Sequence, residues 1–295
     1  MNFPSTSLHR LPSDTVDNLA LFAEAKLTEF LNPVAITLPP SARAAAYHMA
    51  AGGHRVRLRL ALSACLALQV NANDAVAVAT SVELLHNASL VHDDLQDRDQ
   101  DRRGQKSVWA SFGDNIAICA GDLLLSSAYA ALATFSRPEL LPALFAVTHA
   151  RIALAIAGQC ADLQITDTVS VASYEQIAVA KSGALLGLPL ELALIASGAS
   201  EWQPQARLAA HSFAIGYQII DDIDDIERDA NKGGPAAALN ILLVLKTTGD
   251  NDQALSNARG MALRHLSKAA KAAELLPMRS GGLMRELALR LSARI

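Results

Sequence analysis

The sequence predicts an all-α fold, and three observations carry that prediction. Of 295 residues 51% are hydrophobic and only 4% aromatic, with alanine and leucine leading; both are strong helix formers, and strand-favouring aromatics are scarce. From about Thr15 onward apolar residues recur at three- and four-residue intervals with few strand-like alternations. Pro33, Pro39–Pro40, Gly52–Gly53, Gly104 and Gly233–Gly234–Pro235 punctuate this pattern, yet no linker cuts it in two.

In chain order, residues 1–15 read as a loose tail and residues 16–295 as a single all-α domain, one large helical bundle. Helices are expected near 15–31, 41–51 and 54–70, bounded by the Pro and Gly breakers. A long apolar helix follows over 73–99, with Asp74 suited to its N-terminus. Further helices are expected near 113–134 and 138–160, the second begun by Pro138, whose missing N–H costs nothing in a first helical turn. The rest run near 171–198, 203–228, 236–246, 251–275 and 280–293. The apolar stretch Gly183–Ser200 holds Glu191 and Pro189, so it reads as a buried core helix and no integral membrane span is expected.

Net charge is −4 and no basic tract runs through the chain, so nucleic acid is not an expected partner. Cys65, Cys119 and Cys160 are isolated; their odd number and wide spacing argue against a disulfide framework or a zinc site, and a reducing cytoplasm fits best. Residues Met1–Asn18 lack the apolar core of a secretory signal.

Two acidic clusters stand out in a chain with 18% charged residues. Asp93-Asp94-Leu95-Gln96-Asp97 closes one apolar helix and Asp221-Asp222-Ile223-Asp224-Asp225 closes another. Positions 93 and 97, like 221 and 225, are one helical turn apart and share a face. Carboxylates this close repel one another, and they oppose the negative end of the helix dipole. Such an arrangement points to a cation. Oxygen donors without His or Cys favour a hard ion, and Mg²⁺ completes its shell with water and substrate phosphates.

With these residues in place, a resemblance is visible. Asp93-Asp94-x-x-Asp97 followed by Arg102-Arg103-Gly104 resembles the first aspartate-rich motif of the trans-isoprenyl diphosphate synthases, the polyprenyl synthetase family. Gly216-Tyr217-Gln218-Ile219-Ile220-Asp221-Asp222-x-x-Asp225 resembles their second motif, and Gly52-Gly53-His54-Arg55-Val56-Arg57 their Gly-Gly-Lys-Arg signature. Gly158-Gln159-x-x-Asp162-Leu163 and Lys181-Ser182-Gly183 match two intermediate landmarks. The matches fall in the family's order over roughly residues 40–230.

The resemblance implies antiparallel helices around a deep central cavity, the isoprenoid synthase type, in a likewise implied homodimer. It implies condensation of an allylic diphosphate with isopentenyl diphosphate, with Asp93, Asp94, Asp97, Asp221, Asp222 and Asp225 holding Mg²⁺, three ions with substrate bound. Catalysis would rest on Asp93, Asp94, Lys181, Gln218 and Asp221. By family position Arg102, Lys181 and Ser182 hold the allylic diphosphate, and Arg103 and His86 contact isopentenyl diphosphate beside Gly53, His54, Arg55 and Arg57; Gln218 faces the reacting carbons or pyrophosphate. The residue chemistry agrees, since allylic ionisation needs a neutralised leaving group and a dry apolar pocket.

Two departures from the pattern are visible. His54 replaces the usual lysine, and only Asn231-Lys232-Gly233-Gly234 stands where many relatives carry a longer basic loop. Two rival functions share the fold. A class I terpene cyclase usually mixes Asn, Ser or Thr into its second metal motif, and a non-catalytic partner subunit usually lacks the aspartate clusters. Ser89, Ala88 and Leu85 lie four, five and eight positions before Asp93, where the growing tail would run. None is aromatic, which favours products of C20 or longer.

Overall fold

The computed structural model describes residues 15–31, 39–165, 169–224, 239–246 and 251–295. Asp225, the Asn231–Gly234 segment and most of the expected N-terminal tail lie outside these residues. The described chain is helical apart from one two-stranded hairpin, and it falls into two compact units, Met1–Pro142 and Ala143–Ile295.

The first unit contains α1 (Val16–Leu31), α2 (Pro40–Ala50), α3 (Val56–Ala67), α4 (Ala72–Gln96), strands β1 (Asp101–Arg102) and β2 (Gln105–Lys106), α5 (Val108–Phe112) and α6 (Asp114–Leu132). Helix α4 is its axis, packed by α6, α3 and α1. Its positions 74–85 are all buried, whichever way they point, as expected of a helix with small and apolar residues on every side. Leu58, Leu62, Leu84, Leu124 and Leu132 are fully buried around it, each contributing about 2 kcal/mol by removal from water. A reciprocal cap starts α4. Asn71 Oδ1 accepts the Asp74 N–H at 2.9 Å, and Asp74 accepts from Asn71 Nδ2 at 2.6 Å and from the N–H and Oγ of Ser136 at 2.7 and 2.8 Å.

The second unit contains α7 (Leu141–Leu163), α8 (Val171–Ala178), a π-helical turn (Val179–Gly183), α9 (Ala184–Ser197), α10 (Gln203–Asp224), α11 (Ile241–Lys246), α12 (Asn251–Glu274) and α13 (Gly282–Ser292). Helix α10 packs against α12 and α9. As the sequence predicts, α9 is core: Ala184 through Ala196 are all buried, Glu191 included. Arg151 and Arg207 hold that carboxylate at 2.7–3.0 Å. By length and composition alone, three helical stretches among the described residues could cross a membrane: Asp114–Leu132, Pro138–Leu163 and Val171–Ser197. Pro138–Leu163 is the most apolar and only 11% buried.

Where the helices depart from the expected bounds, backbone geometry gives the reason. Helix α3 begins at Val56 because Arg55 sits in the left-handed region at φ 49°, and α4 stops at Gln96 because Arg98 does so at φ 59°. The expected helix over 171–198 is broken by the π turn at Lys181, a kind of irregularity that clusters at functional sites.

Candidate active site

In the first unit, α4 ends on its aspartates and the chain reverses through the hairpin. Asp101 pairs with Lys106 and Arg102 with Gln105. The two turn residues, Arg103 and Gly104, have φ 53° and 79°, which suits the right-handed twist of a tight hairpin. Tyr47 fastens the hairpin to α2, its OH donating to Lys106 O at 2.9 Å and its carbonyl accepting from Gln105 Nε2 at 3.2 Å. This reversal returns Arg102 to Asp94, whose Oδ1 accepts from Nε at 2.8 Å and also from Nη2.

Asp94 is fully buried, and burial raises its pKa against the pull of Arg102. Its other oxygen, Oδ2, is buried with no hydrogen-bond partner among the described residues. Asp93 is half-buried and Asp97 exposed at the same helix end. An orphaned carboxylate oxygen beside further carboxylates fits a hard cation. Among the described residues no three acidic, His or Cys side chains converge tightly enough to form a metal cage. Substrate oxygens and water would therefore have to complete the shell.

The next residue, Arg103, extends the opposite way. It donates through Nη1 to Gly52 O and lies flat on Gly53, where an added Cβ would meet the guanidinium carbon at 2.6 Å. Gly53 also has φ 129°, a backbone conformation that favours glycine. Arg57 stands in the first turn of α3, and His54 is exposed beside the glycines. Burial, then the charges of Arg57 and Arg103, hold the His86 imidazole neutral, its pKa far below the ordinary value. Gly53, Arg57, His86 and Arg103 thus form one cationic corner suited to a diphosphate.

Arg55 is placed differently. Its guanidinium binds Glu24 at 2.7 Å and Glu83 at 3.3 Å and donates to Met49 O. Glu83, itself buried, accepts the Leu58 N–H at 3.3 Å, so a carboxylate from α4 caps the bare N-terminus of α3. The chain continues through Asn87, whose Nδ2 donates to Glu83 and whose Oδ1 therefore accepts from His48 Nε2 at 3.1 Å. The sequence reading missed this Arg55–Glu83–Asn87–His48 chain, which supports the cationic corner from beneath.

His48 is 2% exposed. Burial, followed by the charge of Arg103, pushes its pKa down from 6.5 to about 4. The unfolded chain takes up a proton below 6.5 and the folded one does not, so stability falls as pH drops from 6.5 toward 4. His48→Gln should remove about 2 kcal/mol of the loss in unfolding free energy between pH 7 and pH 5, read by denaturant titration. An equally steep loss in the variant would contradict a buried neutral ring.

In the second unit, Lys181 and Ser182 lie half-buried on the π turn. Lys181 Nζ donates to Asp162 Oδ2 at 2.5 Å. Helix α7 approaches that turn at Gly158, where a Cβ would stand 2.4 Å from the Lys181 backbone nitrogen. The two landmarks noted in the sequence are therefore one contact, with Gly158 admitting the turn and Asp162 holding the lysine.

The second cluster splits by environment. Asp221 is exposed and Asp222 buried. Asp222 accepts from Tyr174 OH at 2.7 Å, Gln218 Nε2 at 2.9 Å and the Ile241 N–H at 2.8 Å, while Asn240 Nδ2 reaches its carbonyl at 2.9 Å. It joins α8, α10 and α11, and burial beside it raises the Tyr174 pKa. Gln218 is thus tied to Asp222 one turn on, and Asp221 keeps the solvent-facing position.

These placements meet the comparisons with known proteins. A family model described as polyprenyl synthetase matches residues 39–241. The chain belongs to the polyprenyl synthetase family. It is 34% identical over 236 residues to a geranylgeranyl pyrophosphate synthase of Capsicum annuum, covering 76% of this chain and 63% of the relative. It is 33% identical to a (2E,6E)-farnesyl diphosphate synthase of Mycobacterium bovis, covering 75% and 65%. The aligned part thus spans a little under two thirds of each relative's length. A geranylgeranyl pyrophosphate synthetase structure from Geoglobus acetivorans superposes with TM-score 0.79 at 26% identity, covering 94% of this chain and 99% of that one. The all-α isoprenoid synthase fold of this polyprenyl synthetase family member is thereby established, and both aspartate motifs up to Asp224 lie within the matched residues.

Proposed function

We propose that this chain is a Mg²⁺-dependent trans-prenyltransferase that joins an allylic diphosphate to isopentenyl diphosphate and releases pyrophosphate. The observation that carries the reading is the end of α4, where a buried Asp94 keeps one oxygen for a cation and hands the other to Arg102.

Asp93, Asp94, Asp97 and Asp221 are the residues that would hold Mg²⁺. Asp222, expected from the sequence as a further ligand, accepts instead from Tyr174, Gln218 and the Ile241 N–H and is assigned a positioning role; Asp225, which completes the second motif, lies outside the described residues. When bound, the ion neutralises the charge that grows on the departing pyrophosphate. Arg102, Lys181 and Ser182 supply donors to the allylic diphosphate, and Lys181 must exchange Asp162 for the phosphate. Arg103, Arg57, His54 and Gly53 supply the site for isopentenyl diphosphate, with neutral His86 able to donate without adding charge. Arg55, committed to Glu24 and Glu83, shapes that site rather than reaching into it. Gln218, which donates to Asp222, would face the reacting carbons or pyrophosphate. The intact aspartate clusters and paired arginines favour this reading over a cyclase or a non-catalytic subunit.

The relatives named farnesyl and geranylgeranyl synthase support a C15–C20 product, which lies at or below the short end of the C20-or-longer range expected from the sequence. On α4, Leu85 and Ala88 are buried, and Ser89 turns its hydroxyl to His86 O at 2.8 Å, so the face upstream of Asp93 is small and apolar. Ala88→Phe would add a ring that packed helices cannot move aside cheaply. It should shorten the principal product by one five-carbon unit or more while leaving the first condensation intact, read by chromatography of dephosphorylated products. An unchanged product length would remove α4 from the tail path.

The same reading includes a homodimer and a cytoplasmic setting. Of the three described helical stretches long and apolar enough to cross a membrane, Pro138–Leu163, which contains α7, is the most hydrophobic and the least buried, with Ile156 at 56% exposure. A second copy is its proposed cover, because Arg151 in mid-helix is pinned to the buried Glu191 and would be costly in a bilayer.

A further inference from the structure

The last helices carry a charge the rest of the chain opposes. Residues 251–295 hold eight Lys and Arg against three Asp and Glu, in a chain of net charge −4. On the outer side of α12, Arg264, Lys268 and Lys271 are exposed, and among the described residues no acid forms an ion pair with any of them. Leu263, 41% exposed, precedes them and Leu275, 63% exposed, follows just past the end of α12. A groove of about 680 Å³ runs along α12 against α10, floored by Leu208 and Ala272 and rimmed by those three cations. A second groove of about 500 Å³ lies between α12 and α13 and shares Leu263, Ser267 and Lys271. Leu289 of α13, which lines it, is 47% exposed.

We propose that this face of α12 docks the protein on an anionic lipid bilayer. Exposed leucines and cations lining one groove suit an interface, where the apolar side chains enter the acyl boundary and the charged groups stay with the head groups. An acidic protein would meet the cations but leave the leucines uncovered. The docking rests on the patch alone; its use rests on the prenyl-transfer reading. That reaction lengthens an apolar tail on a diphosphate, and the product is an amphiphile whose release into water is unfavourable. A surface-bound protein would pass it to the bilayer, and the class of reaction that consumes it would act there.

Sucrose-loaded vesicles of equimolar phosphatidylglycerol and phosphatidylcholine test the proposal by co-sedimentation of the full chain. Wild type should bind them, should bind pure phosphatidylcholine at least about tenfold more weakly, and should be released by salt. Each cation near an anionic surface is worth roughly a factor of five in partitioning, so Arg264→Ser/Lys268→Ser/Lys271→Ser should lower it about a hundredfold. Leu263→Ser/Leu275→Ser should lower it about tenfold or more. Prenyl transfer in vesicle-free buffer should be unchanged in both variants, so loss of docking and loss of activity are separable. Amine labelling of wild type gives an independent reading, with anionic vesicles protecting Lys268 and Lys271. Absence of wild-type binding, equal partitioning of the triple variant, or unprotected lysines would overturn the proposal. So would light scattering that shows the triple variant alone losing a dimer, which would make the face an interface between copies.

Discussion

Asp93→Ala and Asp221→Ala should each lower kcat by about a thousandfold or more while leaving the fold intact. Asp93 shares the end of α4 with Asp94 and Asp97, and Asp221 keeps the exposed position in its own cluster. Both are more exposed than their buried neighbours Asp94 and Asp222. Removing one like charge from either cluster should leave the melting temperature without Mg²⁺ unchanged or slightly higher. Thermal melts with and without Mg²⁺ beside steady-state kinetics check both halves. Near-normal turnover of Asp93→Ala with Mg²⁺ would end the metal assignment.

The neighbouring substitution should behave in the opposite way. Asp222→Ala leaves the Tyr174 hydroxyl and the Ile241 N–H buried without their acceptor and frees Gln218. Each orphaned buried donor costs about 1–3 kcal/mol, so destabilisation of about 3 kcal/mol or more is expected. Activity should fall mainly because α8, α10 and α11 lose their common acceptor. Tyr174→Phe removes one partner and should cost about 1 kcal/mol. Asp222→Ala with wild-type stability would show that the carboxylate is not the junction the hydrogen bonds describe.

This contrast marks how far the sequence could be read. The long apolar α4 and α10 and their terminal aspartates were legible because periodicity and cluster spacing are local properties. The first two aspartates of the second cluster were not distinguishable. Whether Asp221 or Asp222 turns inward depends on Tyr174, 48 residues earlier in the chain, and on the Ile241 amide. Arg55 was illegible for the same reason, since its partners Glu24 and Glu83 come from α1 and α4. The arginine pair was visible, but its division of labour was not: consecutive residues at a hairpin turn point opposite ways, Arg102 to Asp94 and Arg103 to Gly52–Gly53. A signal was present in Arg103-Gly104, a turn pair flanked by polar residues. Gly158 and Lys181 appeared as separate landmarks, and only the close approach of α7 to the π turn makes them one feature.

The central claim is prenyl transfer, and turnover of the purified chain with radiolabelled isopentenyl diphosphate and a series of allylic diphosphate primers tests it most directly. The account predicts Mg²⁺-dependent incorporation of label into an acid-labile allylic product of C15 to C20, abolished by EDTA and by Asp93→Ala. Cyclised hydrocarbon formed from an allylic diphosphate alone, or no incorporation with any primer at saturating Mg²⁺, would contradict it.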